Sequence, residues 1–131
     1  MSKSIATQLR AIQKKSMATA EKVVKETYFD TFNDTIIASP IDEGLFRANW
    51  LAAYDSIDGS LMPIGTNPAG SMVAELARLD IKEERLFYMT NSLPYAYRLE
   101  NGWSEQAPKG MVKVSAARFE SIAQQKIRKY S

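Results

Sequence analysis

The sequence contains no cysteine and no histidine. These absences exclude thiol nucleophiles, disulfides, zinc-finger spacing and catalytic triads that use histidine as the base. Glycine and proline are scarce, with 6 and 5 residues, so the composition is neither collagen-like nor that of a disordered chain. No apolar run approaches the roughly 20 residues that span a bilayer, and residues 1–10 lack a signal-peptide core. We therefore expect no membrane association and no cofactor. Aspartate and glutamate remain, so composition alone does not exclude binding of Mg²⁺ or Ca²⁺, although we expect no metal site.

The 131 residues have the length of one domain, 1–131, and their net charge of +2 is unevenly distributed. Residues 1–29 carry six basic and two acidic residues, and residues 30–100 carry five basic and eleven acidic ones. Residues 101–131 again carry six basic and two acidic residues. Basic ends and an acidic middle can be complementary to a second copy of the chain, although solvated faces that cluster by chance explain the same pattern.

The N-terminal part of the chain predicts one long helix over residues 3–37. Apolar residues recur there at helical spacing, no glycine or proline interrupts residues 4–37, and Pro40 disfavours helix at the preceding residue. Such a helix would be about 50 Å long at about 1.5 Å per residue. Because this exceeds what the core of so small a domain requires, part of the helix is expected to project or to lie on a neighbouring molecule.

Residues 40–131 predict a mixed body of strands and helices. Alternation of apolar and polar residues predicts strands over 46–57 and 84–90. Helices are predicted over 68–80, where Pro68 takes the first helical position, over 94–101, where Gly102 follows the last turn, and over 111–130.

Candidate chemical groups outside these patterns have simpler structural explanations. Asp80, Glu83 and Glu84 could hold a divalent cation, but they lack a glycine-based loop and the spacing of an EF-hand, so a solvated connection is favoured. Ser60 and Ser71 follow glycines without a nucleophile-elbow pattern and without a histidine base. The basic ends accompany no nucleic-acid recognition motif, which leaves only non-specific contact with a DNA backbone open.

The segment 91–112 mixes aromatic, amide, glycine and proline residues with no helix or strand period. Tyr95, Tyr97 and Trp103 are its candidate anchors, because their large faces bury well while their polar ends find partners. Two interpretations stay open for these aromatic residues: they close a small core, or they form a contact between subunits.

Two patterns in this part of the chain resemble those of a known family. The first, Asp-x-Gly-x-x-Arg-x-x-Trp, consists of Asp42, Gly44, Arg47 and Trp50. The second consists of Asn91, Tyr95, Ala96, Glu100 and Gly102 and continues through Trp103, Gln106, Pro108, Gly110 and Met111. Over about 40–131 the sequence resembles the tail-completion (neck) proteins of long-tailed phages, which include minor tail protein Z-like and head–tail joining proteins.

The resemblance implies an α+β domain with a long first helix, a small mainly antiparallel sheet, two shorter helices and a C-terminal helix. It implies a structural virion protein without catalysis, made in the host bacterial cytoplasm and placed at the head–tail interface. There it would form a ring of identical copies, six favoured over twelve, between a head-side connector and a tail terminator or tail tube protein. Genomic DNA would pass the lumen without specific binding.

Within such a ring, Tyr97 and Trp103 are expected to be interface anchors, and Arg47 is expected to pair with a carboxylate such as Glu100. Three other functions remain as alternatives: a non-specific DNA-binding accessory protein of a phage or mobile element, a carboxylate or metal-assisted hydrolase, and a small regulatory or toxin-like module.

Overall fold

The computed structural model describes residues 4–41, 44–83, 85–102, 104–107 and 109–130. This part of the chain forms six helices and two strands. Their order is α1 (Ile5–Lys15), α2 (Met17–Ala38), α3 (Leu45–Ala48), β1 (Trp50–Tyr54), α4 (Pro68–Arg78), β2 (Phe87–Asn91), α5 (Ala96–Glu100) and α6 (Val112–Tyr130). β1 and β2 pair antiparallel, with Ala52 opposite Met89. The predicted α+β class, with a long N-terminal helix and a C-terminal helix, is confirmed.

The N-terminal helical region is divided by a break at Ser16. The backbone of Ser16 is extended, and its hydroxyl accepts a hydrogen bond from the Thr19 N–H at 3.2 Å, which caps the start of α2. The prediction of one uninterrupted helix over 3–37 is therefore wrong at this position, and residue 3 lies outside the described part. A serine side chain competes for backbone hydrogen bonds, so it favours a helix start over a helix interior.

The predicted strand over 46–57 is wrong at both ends. Gly44, with a φ of +87°, begins the short helix α3, and the strand that follows covers only Trp50–Tyr54. Every residue of β1 is buried, because α4 packs along one edge and β2 along the other. The second strand begins three residues later than predicted, whereas the helices predicted over 68–80, 94–101 and 111–130 are confirmed within their terminal residues.

The core lies between α2, the sheet, α4 and the start of α6. Its buried side chains include Phe32 of α2, Trp50 of β1 and Met72 of α4, joined by Met111 just before α6. Burial of an apolar side chain of this size contributes about 1.5–3 kcal/mol, so these few residues hold the layers together.

α2 and α6 also face each other across a set of ion pairs. Lys126 contacts Asp30 at 2.7 Å and Glu26 at 3.6 Å, and Arg118 contacts Asp34 at 2.8 Å. The basic C-terminal block is thus partly neutralised by acidic residues of the same chain. Partly exposed pairs of this kind contribute about 0–1 kcal/mol each, so they orient the helices more than they stabilise them.

Candidate assembly junction

The described residues of the two sequence patterns meet where α2 ends, α3 and α5 lie, and α6 begins. We call this region the motif junction. It holds Gly44, Arg47, Trp50, Asn91, Tyr95, Tyr97, Glu100, Gly102, Gln106 and Gly110. Three other predicted residues, Asp42, Trp103 and Pro108, lie outside the described residues.

Arg47 and Trp50 bind the C-terminal end of α2. The Arg47 guanidinium donates from Nε to the Ser39 carbonyl at 2.9 Å and from Nη2 to the Ile37 carbonyl at 2.7 Å. The Trp50 indole N–H donates to the buried Ser39 hydroxyl at 2.8 Å. The last carbonyls of a helix have no partner within the helix and carry a partial negative charge, so a cation from α3 satisfies them.

Asn49 was not predicted as part of this junction, yet its side chain is fully buried. Its amide nitrogen donates to the carbonyls of Leu45 and Met62 at 2.8 and 2.9 Å, and its carbonyl oxygen accepts from the Met62 N–H at 2.7 Å. Asn49 thus attaches the loop after β1 to α3. In the sequence, Asn49 is a polar residue between the apolar residues Ala48 and Trp50. This alternation predicts that its side chain lies on the polar face of a strand, whereas in the structure Asn49 lies between α3 and β1.

Asn91 and Tyr95 connect the second pattern to α3. The Asn91 amide donates to the Phe46 carbonyl at 2.9 Å, and the Tyr95 ring lies 6.1 Å from the Phe46 ring, centroid to centroid. Phe46 is itself buried against Trp50 at 5.6 Å. Residues more than forty positions apart in sequence therefore form one unit.

Glu100 caps the start of α6. Its carboxylate accepts hydrogen bonds from the backbone N–H groups of Met111, Val112 and Lys113 at 2.8 to 3.0 Å. Partial burial acts to raise the pKa of Glu100, but these three donors outweigh it and hold the pKa below its usual range. Within the chain, Arg47 and Glu100 bind different helix ends, and their pairing within a ring stays a prediction.

Two further residues set the path between α5 and α6. The Gln106 side chain pairs with both backbone groups of Ile41, accepting from its N–H and donating to its carbonyl, each at 2.9 Å. Gly110 has a φ of +85°, and a Cβ placed there would lie 2.4 Å from the Glu100 carbonyl oxygen. Only glycine fits this position. Gly102 likewise has a positive φ, of +86°, as expected just beyond the end of α5.

Tyr97 differs from the other junction residues because it points outward, with 80% of its surface exposed. Ile37, Ile41 and Val112, on segments bound to the junction, are exposed by 61%, 53% and 45%. Tyr97 is exposed, and Tyr95 is exposed by 38% with its ring against Phe46. Neither observation tests a contact between subunits, so that interpretation stays a prediction.

The other candidate groups have structural roles. Within the described ranges, no group of three acidic residues could hold a metal ion, and Glu84 lies outside those ranges. The Glu83 carboxylate pairs with Arg85 at 2.6 Å. The Ser71 hydroxyl accepts from the Ala52 N–H and donates to the Pro68 carbonyl, which ties α4 to β1.

The geometry of the motif junction is that of a scaffold: polar side chains end helices, glycines allow close approaches, and apolar side chains remain on its outer surface. Among the described helices, none is both long and apolar enough to cross a membrane. No family model, no curated protein and no solved structure matches this chain.

Proposed function

We propose that this protein is a structural virion protein of a long-tailed phage, forming a ring at the neck that completes the tail and joins it to the head connector. One observation carries the proposal. The two sequence segments that resemble neck proteins converge in a single junction, and its outer surface bears the exposed side chains of Tyr97, Ile41 and Ile37.

A closed ring needs two different surfaces on each copy, since one patch must meet a dissimilar patch on the next subunit. The junction suits one of these surfaces because its backbone is held rigidly by Arg47, Glu100 and Gln106. A rigid surface loses little conformational entropy on assembly, so exposed aromatic and aliphatic side chains contribute more of their burial energy to binding.

The distribution of charge supports a directional contact. Basic side chains are exposed on α1, at Arg10, Lys14 and Lys15. Near the sheet, the acidic side chain of Asp80 is exposed, and that of Asp55 is paired with Arg85 at 3.1 Å. Opposite charges on different parts of the surface orient the encounter of two copies. Because Lys126 and Arg118 are engaged with α2, fewer cations remain for DNA phosphates than the sequence suggested.

In the assembled neck, the ring would contact itself around its circumference, a head-side connector on one face, and a tail terminator or tail tube protein on the other. The lumen would let genomic DNA pass without specific binding. Strong phosphate contacts would retard that passage, so the positive charge should lie at subunit contacts and not along the lumen.

Tyr97→Asp tests the proposal. The ring interpretation predicts a folded, soluble variant that fails to restore joined particles in cells producing a virus that lacks the wild-type protein. Val73→Asp is the control, because Val73 is comparably exposed, at 61%, but lies on α4 away from the junction. Electron microscopy would count joined particles, and mass spectrometry would detect the protein in purified virions. Absence of the wild-type protein from virions would refute the proposed function.

A further inference from the structure

The two outer edges of the sheet differ. The Asp55 N–H donates to the Leu86 carbonyl at 2.7 Å, which continues the ladder and sets its alternation. By that alternation, the N–H groups of Ala52 and Tyr54 point away from β2, and side chains of α4 satisfy them: Ser71 at 3.2 Å and Glu75 at 3.1 Å. The outer edge of β1 is therefore closed.

The outer edge of β2 is open. The same alternation directs the N–H and carbonyl groups of Phe87, Met89 and Asn91 away from β1. Across the described ranges, no residue donates to or accepts from these outward backbone groups. A row of unpaired groups on a strand edge is a template for another strand.

An open apolar cavity of about 160 Å³ lies beside this edge. Phe87 and Met89 form one wall, and Tyr28 of α2 and Phe119 of α6 are among the residues of the others. A cavity of this order can hold a group the size of benzene, so it offers a place for one aliphatic side chain of an added strand.

Residues 57–61 form an exposed segment whose apolar side chains could fill this cavity, and we call it the donor segment. Ile57 and Leu61 are exposed by 63% and 62%, and the segment belongs to no helix or strand. The N–H groups of Ser60 and Met62 are satisfied within the loop and by Asn49. The N–H groups of Ile57, Asp58, Gly59 and Leu61 have no acceptor in the described part of the chain. Those of Ile57, Gly59 and Leu61 lie two residues apart, which is the spacing at which N–H groups of a strand point to the same edge.

We propose that the donor segment of one copy adds as a strand, antiparallel, to the open edge of β2 in the next copy. With Gly59 opposite Met89, the N–H groups of Ile57, Gly59 and Leu61 face the three outward positions of the edge. In this register Leu61 lies opposite Phe87, beside the cavity. Pro63 ends the added strand because it has no N–H. The contact joins two dissimilar surfaces, and so it names a subunit interface of the ring under the proposed function, on which it rests.

Leu61→Asp tests the apolar part of this contact. The variant should fold normally, since Leu61 is exposed, and should weaken self-association by about tenfold or more, because a buried leucine is replaced by a charge. Val73→Asp should leave association unchanged. Sedimentation velocity over a concentration series measures both. Equal association by Leu61→Asp and the wild-type protein would overturn the proposal.

Cysteine cross-linking tests the pairing itself, on a chain without native cysteine. In the proposed register Ser60 of one copy lies opposite Tyr88 of the next. Mixing Ser60→Cys with Tyr88→Cys under mild oxidation should therefore give a covalent dimer, while Ser60→Cys mixed with Val73→Cys should not. A dimer from Tyr88→Cys alone would mean that β2 pairs with β2, and no dimer in the first mixture would mean that the strand is not added; either result overturns the proposal.

These outcomes separate the interface from the function. Cross-linking with the protein absent from virions would refute the neck ring and leave the strand addition standing. A virion protein whose Leu61→Asp variant still forms particles and self-associates would retain the function and refute the interface.

Discussion

At the residue scale, the junction side chains act on the backbone ends of helices. Arg47 binds carbonyl groups at the end of α2, and Glu100 binds N–H groups at the start of α6. The end groups of a helix have no partner within the helix, and a charged partner strengthens the hydrogen bond that satisfies them. The two motifs are therefore better explained by the requirements of backbone hydrogen bonding than by chemistry on a ligand.

Gly110→Ala should lower the free energy of unfolding by about 2 kcal/mol or more, because the new Cβ meets the Glu100 carbonyl and the positive φ disfavours alanine. Gly70→Ala is the matched control. Gly70 lies inside α4 with open space around it, so alanine there should raise stability by about 0.5–1 kcal/mol. Urea unfolding followed by circular dichroism measures both variants, and equal effects of the two substitutions would contradict the account of Gly110.

At the element scale, the helices are held unequally. α1 has no buried residue, whereas α2 buries Val23 and Phe32 and α6 buries Ile122 and Ile127. α1 is connected to α2 through the extended Ser16 and borders an open groove against α6. Local opening free energy follows buried apolar contact, so α1 should open at a lower cost than α2 and α6.

Hydrogen exchange should show this difference directly. Amides of α1 are expected to exchange about tenfold or more faster than those of α2 and α6 at the same pH and temperature. Mass spectrometry of peptides from the three helices after timed labelling measures the rates, with α6 as the internal reference. Protection of α1 equal to that of α6 would show that contacts with α1 hold it as firmly as the core helices.

At the scale of the whole molecule, the α2–α6 contact is a charged seam between two helices far apart in sequence. Burial acts to raise the pKa of Glu26, but hydrogen bonds from Tyr130 and Lys129, and the charge of Lys126, outweigh it and lower that pKa. Hydrogen bonding to Asp30 raises the pKa of Lys126, and hydrogen bonding to Glu26 raises that of Lys129. Folding thus favours the ionised carboxylate of Glu26 and the protonated ammonium groups of Lys126 and Lys129.

These pKa shifts predict that the free energy of unfolding is highest over a plateau of pH and falls at both acidic and basic pH. Glu26 and Glu100 stabilise the folded state at pH values above 4.5, the ordinary pKa of glutamate. This stabilisation is lost as the pH falls through their lowered pKa values in the folded protein. Lys126 and Lys129 stabilise the folded state at pH values below 10.5, the ordinary pKa of lysine. This stabilisation is lost as the pH rises through their raised pKa values in the folded protein.

Glu26→Gln should accordingly reduce stability within the plateau and flatten both of its edges, while Glu105→Gln, at an exposed carboxylate, should leave the profile unchanged. Urea unfolding measured from about pH 3 to about pH 11 gives the profiles. A profile for Glu26→Gln that runs parallel to the wild-type profile at every pH would contradict the role assigned to the seam.

The amino-acid sequence by itself determined the elements whose apolar residues recur at one period. The helix that begins at Pro68 and the final helix were predicted within their terminal residues, and so was the glycine that follows α5. Local chemistry suffices there, because a proline, a glycine or a repeating apolar face favours the same conformation in any surrounding fold.

Only the tertiary structure decided the partners of the polar side chains. Gln106 binds Ile41 across 65 positions, and Arg47 binds the end of α2 rather than a carboxylate. The fold also decides which sheet edge is covered. Side chains of α4 satisfy the outer edge of β1, whereas the outer edge of β2 has no partner among the described residues. The spacing of apolar residues records which side of an element faces the core, but a hydrogen bond depends on which distant backbone group the folded chain brings within reach.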